Sequence, residues 1–111
     1  MRVIFKAPGR KPEEREITGS LGGMQKAVGG YIETLTLPGT GLVIVFDEEG
    51  RLKGKSRNIV IARAMLNSFM PVGIAGDLFI CASDEDDLRG LNDTEAAVAQ
   101  AILEACSVER I

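Results

Sequence analysis

Residues 20–37, SLGGMQKAVGGYIETLTL, decide how this chain folds. Ser20 suits a helix N-cap, because its hydroxyl can accept a bond from an unpaired N–H of the first turn. Leu21, Met24 and Val28 follow at helical spacing. Gly22 and Gly23 each weaken that helix by about 1 kcal/mol against alanine. The helix must therefore rely on tertiary packing, and the absent side chains let another backbone come close. Gly29-Gly30 supplies a left-handed stop. Residues 31–37 then read as a strand closed by Pro38-Gly39.

Upstream, MRVIFKA (1–7) sets Val3 and Phe5 against Arg2, Ile4 and Lys6, which is a strand. Pro8, Gly9 and Pro12 break the chain, and REIT (15–18) is the return strand of a hairpin. Downstream, LVIVF (42–46) is a continuous apolar run and reads as the sheet centre. In residues 56–76, Ile59, Val60 and Ile61 suit a strand. Ala62, Met65, Leu66 and Phe69 fit one helical face that Ser56 or Asn58 could cap and Pro71 must end. DLFICA (77–82) is a strand and SDEDDLRG (83–90) a loop. From Asn92 or Asp93 a helix places Ala97, Ala101, Ile102 and Ala105 on one side. The expected fold is α+β, a small mixed or antiparallel sheet with a short helix after the first hairpin and a C-terminal helix. The hairpin–helix–strand order is that of a β-grasp. With no repeat, low-complexity segment or linker, residues 1–111 read as one domain.

The bulk composition excludes several functions. A chain of 111 residues with 45% hydrophobic and 26% charged residues can build one core without staples. A net charge of −3 argues against a nucleic-acid binder, which needs concentrated positive charge. Neither a signal-peptide layout nor an apolar run long enough to span a membrane is present, so a cytoplasmic protein is expected. Cys81 and Cys106 sit among apolar neighbours and read as buried thiols. The absence of histidine removes imidazole acid–base chemistry, Ser-His and Cys-His pairs and most catalytic zinc sites. No catalytic residue, metal or cofactor is expected.

Four motif readings fail. In VIVFDEEGRLKGKS (43–56), three residues separate Gly50 from Gly54, where a phosphate loop needs four, and Asp47, Glu48 and Glu49 would repel the anion. An exposed acidic hairpin turn is expected instead, with Gly50 left-handed, Leu52 on the return strand and Lys55 free to be truncated. DEDDLRGLNDTE (84–95) mimics a calcium loop, but Leu88 and Arg89 occupy the fifth-ligand and glycine slots. A solvated loop without calcium affinity is expected. Ser20 lacks the glycine of a nucleophile elbow, because Thr18 stands there. The terminal SVERI has no Gly-Gly for modifier chemistry.

MQKAVGGYIETL (24–35), DEEGRLKG (47–54) and IAGDLFIC (74–81) together resemble a family of small proteins carrying a domain of unknown function. That family occurs in bacteriophages, plasmids, integrated elements and gut-type Firmicutes genomes. Its V-G-G-Y-I-E mark is matched by Val28 to Glu33, and its E-G-x-L-x-G turn by Glu49, Gly50, Leu52 and Gly54. Its G-x-F-F-I strand is matched by Gly76, Phe79 and Ile80, with Leu78 replacing the first Phe. The family's Asn-Arg pair corresponds to Asn58, with Ile59 in place of arginine. The family brings no established catalytic activity.

Tyr31 and Glu33 share a strand face, since faces repeat every two residues. With Asn58 they form the candidate partner or ligand surface. The expected function is a non-enzymatic accessory protein of a mobile genetic element that binds a protein partner or a small ligand. One rival is a small enzyme using Asp77 and Glu33 as acid and base with Cys81. Another is a homo-oligomeric structural component.

Overall fold

The structure, a computed structural model, describes residues 1–85 and 87–108. Asp86 of the acidic stretch and the last three residues of SVERI lie outside it. The first hairpin is β1 (Arg2–Lys6) and β2 (Glu13–Glu16). The return strand begins at Glu13 rather than Arg15, because its EERE sequence is exposed throughout and offers no apolar alternation to fix a boundary. α1 (Leu21–Val28) follows, with Ser20 Oγ accepting from the Gly23 N–H at 3.1 Å and Gly29 closing it at φ 76°. Met24 and Val28 are buried, but Leu21, in the first turn, is 58% exposed.

β3 (Ile32–Leu37) and β4 (Leu42–Asp47) form a second hairpin. A separate two-stranded unit consists of β5 (Arg57–Ile61) and β6 (Val72–Ala75), joined through the short α2 (Arg63–Leu66). β7 (Leu78–Asp84), β8 (Asp87–Arg89) and α3 (Asp93–Cys106) complete the described chain. The main sheet runs β2-β1-β7-β4-β3, antiparallel at every step, with β8 paired to the end of β7. Its centre is therefore β7, and β4 lies one place in from the edge. The β-grasp element order is present, although β-grasp sheets are mixed and this one is antiparallel.

Both β4 and β7 are apolar along their length because both sheet faces are covered. Ile4, Leu42, Ile44, Leu78 and Ile80 face α3 and the β5–β6 hairpin. Val3, Phe5, Val43, Val45, Phe79 and Cys81 face α1. The period-two alternation thus sorts two cores onto opposite sides of one sheet. Cys81 and Cys106 are free and buried, one in each core.

Three local readings are corrected. Residues 83–90 are not a loop: β7 continues to Asp84 and returns as β8, with Ser83 opposite Leu88. The helix expected after Ala62 is one turn, ended by Asn67 in a left-handed conformation at φ 51°, and Phe69 is 96% exposed. Only Leu66 of that turn packs against the core, so nothing holds a longer helix there. In α3 the buried face is Ala96, Ala99, Leu103 and Cys106, while Ala97, Ala101 and Ala105 face solvent and Ile102 is half-buried. Alanines occur on every side of this helix and give no contrast, so Leu103 and Cys106 set its rotation. Its start at Asn92 is as expected, with a reciprocal capping box to Glu95. Among the described residues no helix is long and apolar enough to cross a membrane.

Candidate functional site

β4 ends on Asp47, which is 2% exposed. Its Oδ2 accepts from Lys53 Nζ at 2.8 Å and Lys55 Nζ at 2.7 Å, and its Oδ1 from the Glu49 N–H at 2.9 Å. Burial alone would raise the Asp47 pKa, but the two ammonium groups and the N–H hold it well below the usual carboxylate range. Lys55 also donates to the Val28 carbonyl at 3.0 Å. That carbonyl lies at the C-terminal end of α1, where unpaired carbonyls and the helix dipole favour a cation. Two glycines make room for this arrangement. A Cβ on Gly30 would stand 2.6 Å from the Asp47 carboxylate, and one on Gly76 2.7 Å from Lys55 Cδ. The V-G-G, D-E-E-G-R-L-K-G-K and A-G-D segments, far apart in sequence, therefore meet at one ion-paired node.

This overturns the exposed-hairpin reading of residues 47–50. Glu48 and Glu49 are exposed, but Asp47 and Gly50 are buried. The left-handed glycine is Gly54 at φ 72°, not Gly50, whose lack of a side chain instead admits the Ala75 carbonyl. The chain winds inward, with the Lys53 N–H bonded to the Glu49 carbonyl and the Lys55 N–H to the Gly50 carbonyl, so Leu52 is left 87% exposed rather than on a return strand. Lys55 joins Asp47 to α1, so its truncation removes structural bonds.

Glu33 is exposed on β3, the outermost strand of the sheet, and Tyr31, 67% exposed, immediately precedes that strand, which begins at Ile32 rather than Tyr31. The Tyr31 carbonyl accepts from the Glu48 N–H at 3.0 Å. Bonded pairs alternate along an antiparallel ladder, so residues 31, 33, 35 and 37 turn their backbone groups toward β4. Ile32, Thr34 and Thr36 turn theirs outward. Among the described residues β3 pairs with β4 alone, and no loop backbone bonds to its outer side. The opposite edge, β2, is guarded by charge at every position. β3 carries one charge, Glu33, in IETLTL.

Asn58 is not part of that surface. It is 0% exposed, donates from Nδ2 to the Lys6 and Gly76 carbonyls at 2.8 Å each, and accepts from Lys6 Nζ at 2.6 Å. Lys6 itself, 1% exposed, went unnoticed in the sequence. Its signal was there: Lys6 shares a strand face with Ile4, and that face is buried.

A domain of unknown function, DUF3846, matches residues 1–104. The chain belongs to the DUF3846 family. No curated protein and no solved structure matches it. The DUF3846 span includes every β-strand, and so both the Asp47 node and the open β3 edge.

Glu33, Asp77 and Cys81 lie apart in this DUF3846 chain. Glu33 lines a cavity of about 200 Å³ with Phe46 and Arg51, whereas Asp77 lines another with Arg15 and Lys26. Cys81 is fully buried, and burial pushes its thiol pKa up to about 11. In the acidic stretch, Arg89 holds Asp84 at 2.8 Å and grips both oxygens of Glu95 at 2.8 and 2.9 Å. Among the described residues no group of three or more Cys, Asp or Glu is placed to hold a metal. Millimolar calcium is accordingly expected to leave the melting temperature unchanged. An upward shift reversed by chelation would assign a site to residues 84–95.

Proposed function

We propose that this DUF3846 protein is a non-enzymatic accessory protein of a mobile genetic element, working in the cytoplasm, which binds a protein partner by accepting one of its strands at the β3 edge. The observation that carries this is the asymmetry of the sheet. One edge is blunted by Glu13, Glu14, Arg15 and Glu16, and the other is open and nearly uncharged. An open edge supplies main-chain donors and acceptors for an added strand, and neighbouring side chains supply selectivity. Tyr31, a large amphipathic side chain at the start of that edge, suits an anchor. The accessory role in a mobile element is supported by the V-G-G-Y-I-E resemblance. Non-enzymatic action is supported by the separation of Glu33, Asp77 and Cys81.

Thr34→Pro provides the test. The Thr34 N–H points away from β4, so proline there removes no ladder bond and blocks only strand addition. Proline also restricts φ within the strand, so some loss of stability is expected, and urea unfolding checks that Thr34→Pro remains folded. Tagged protein should retain a partner from host lysate, and Thr34→Pro and the Tyr31→Ala/Glu33→Ala pair should lose it. A partner held equally by Thr34→Pro moves the contact off β3 and overturns the proposal. A concentration-dependent dimer abolished by Thr34→Pro would instead make the added strand that of a second copy.

A further inference from the structure

Lys6 presents a problem that the β3 edge does not address. A lysine buried to 1% exposure is costly unless an opposite charge compensates it. Among the described residues no carboxylate pairs with it. Its Nζ donates to Asn58 Oδ1 at 2.6 Å and, at 3.4 Å, to the Ala7 carbonyl. An ammonium has three N–H groups, so one donor remains. Burial holds the Lys6 pKa below the ordinary lysine value.

Lys6 lines a cavity of about 520 Å³ with Arg10, Lys11, Glu104, Ser107 and Val108. That volume falls within the range of small-molecule sites, roughly 300–1,000 Å³. The walls are fixed. The Arg10 N–H bonds to the Ala7 carbonyl at 3.1 Å, and Gln100 of α3 donates to the Pro12 carbonyl at 3.0 Å, which ties the loop to the helix. The Val108 N–H bonds to the Asn58 backbone carbonyl at 3.1 Å, so the residue whose side chain holds Lys6 also holds the far wall through its main chain. Arg10 and Lys11 are exposed, as is Glu104. Among the described residues that line this space, three cations stand against one carboxylate.

We infer that the cavity is a binding site for a small phosphate monoester, with Lys6 at its inner wall and Arg10 and Lys11 at its mouth. The charge balance suits a dianion, and the planar guanidinium matches phosphate oxygens as a two-pronged donor. The remaining Lys6 donor then gains an acceptor and the buried charge gains its counter-ion. The site adjoins β1 and α3, separated from the β3 edge by β7 and β4, and does not depend on the strand-addition reading.

Phenyl phosphate is the probe, titrated calorimetrically into wild type, Lys6→Met and Glu104→Gln. Methionine retains the length and apolar stem of lysine without its charge. Wild type should bind, Lys6→Met should bind about tenfold to a hundredfold more weakly, and Glu104→Gln should bind more tightly. Should Lys6→Met not fold, Arg10→Ala on the exposed loop is expected to weaken binding in the same direction. Equal affinity in wild type and the folded cation variants, or no binding by wild type, overturns the site. Citrate binding in preference to phenyl phosphate overturns the ligand class.

Discussion

Asp47→Ala is expected to lower the unfolding free energy by about 3 kcal/mol, the lower end of what removing one partner of a buried ion pair costs. The lower end applies because its partners keep some contact with water, Lys55 being 26% and Lys53 41% exposed. The substitution also leaves the Glu49 N–H and the Lys55 ammonium without their acceptor beneath Gly30. Urea unfolding at neutral pH measures the loss. The pH dependence separates charge from packing. The folded Asp47 carboxyl lies below its unfolded value, so the unfolded chain binds the proton more readily and stability rises with pH across the window between them. The ion-pair contribution is complete above the unfolded pKa of about 3.9 and is lost as pH falls from there toward the lower folded value. The gap between wild type and Asp47→Ala should therefore be widest at neutral pH and narrow in acid. A gap that stays constant down to about pH 3 would assign the loss to packing alone.

That node also shows where the sequence was legible and where it was not. Local chemistry was readable. Ser20 capping α1, Gly29 stopping it and the Asn92–Glu95 box opening α3 all act within a few residues, and all are where the residue types require. The apolar runs of β4 and β7 were equally plain. Order across the sheet was not readable, because continuous apolar strands look alike whether central or next to the edge. Asp47 looked like a turn acid beside Glu48 and Glu49. What distinguishes it is the arrival of Lys53, Lys55 and the end of α1, contacts that no local pattern encodes. Lys6 was missed for the opposite reason. Its alternation with Ile4 pointed inward, but its charge argued for solvent, and a pairing with Asn58 across 52 residues decides the matter. The surface candidates divided likewise. Tyr31 and Glu33 follow from strand periodicity, whereas Asn58, drawn from resemblance, is an interior residue that positions Lys6.

Gly30→Ala tests whether the V-G-G segment exists to admit Asp47. The new Cβ would stand 2.6 Å from Cγ and both oxygens of a carboxylate that is itself fully buried and held by three donors. The carboxylate cannot swing aside without losing those bonds, so the clash must move either the β3 entry or the node. Overpacking of this kind costs about 1–3 kcal/mol, and the rigid neighbour places Gly30→Ala near the top of that range. Backbone strain is not part of the cost, since Gly30 is not among the positive-φ glycines. The pairwise origin is read from a double-mutant cycle. In an Asp47→Ala background the obstructing group is gone, and adding Gly30→Ala should cost only a few tenths of a kcal/mol. The two single losses are therefore expected to exceed the double loss by most of the Gly30→Ala penalty. Strict additivity would separate the glycine from the carboxylate. Gly30 would then serve the turn from α1 into β3, and the ion-paired node would not account for the glycine pair that precedes Tyr31.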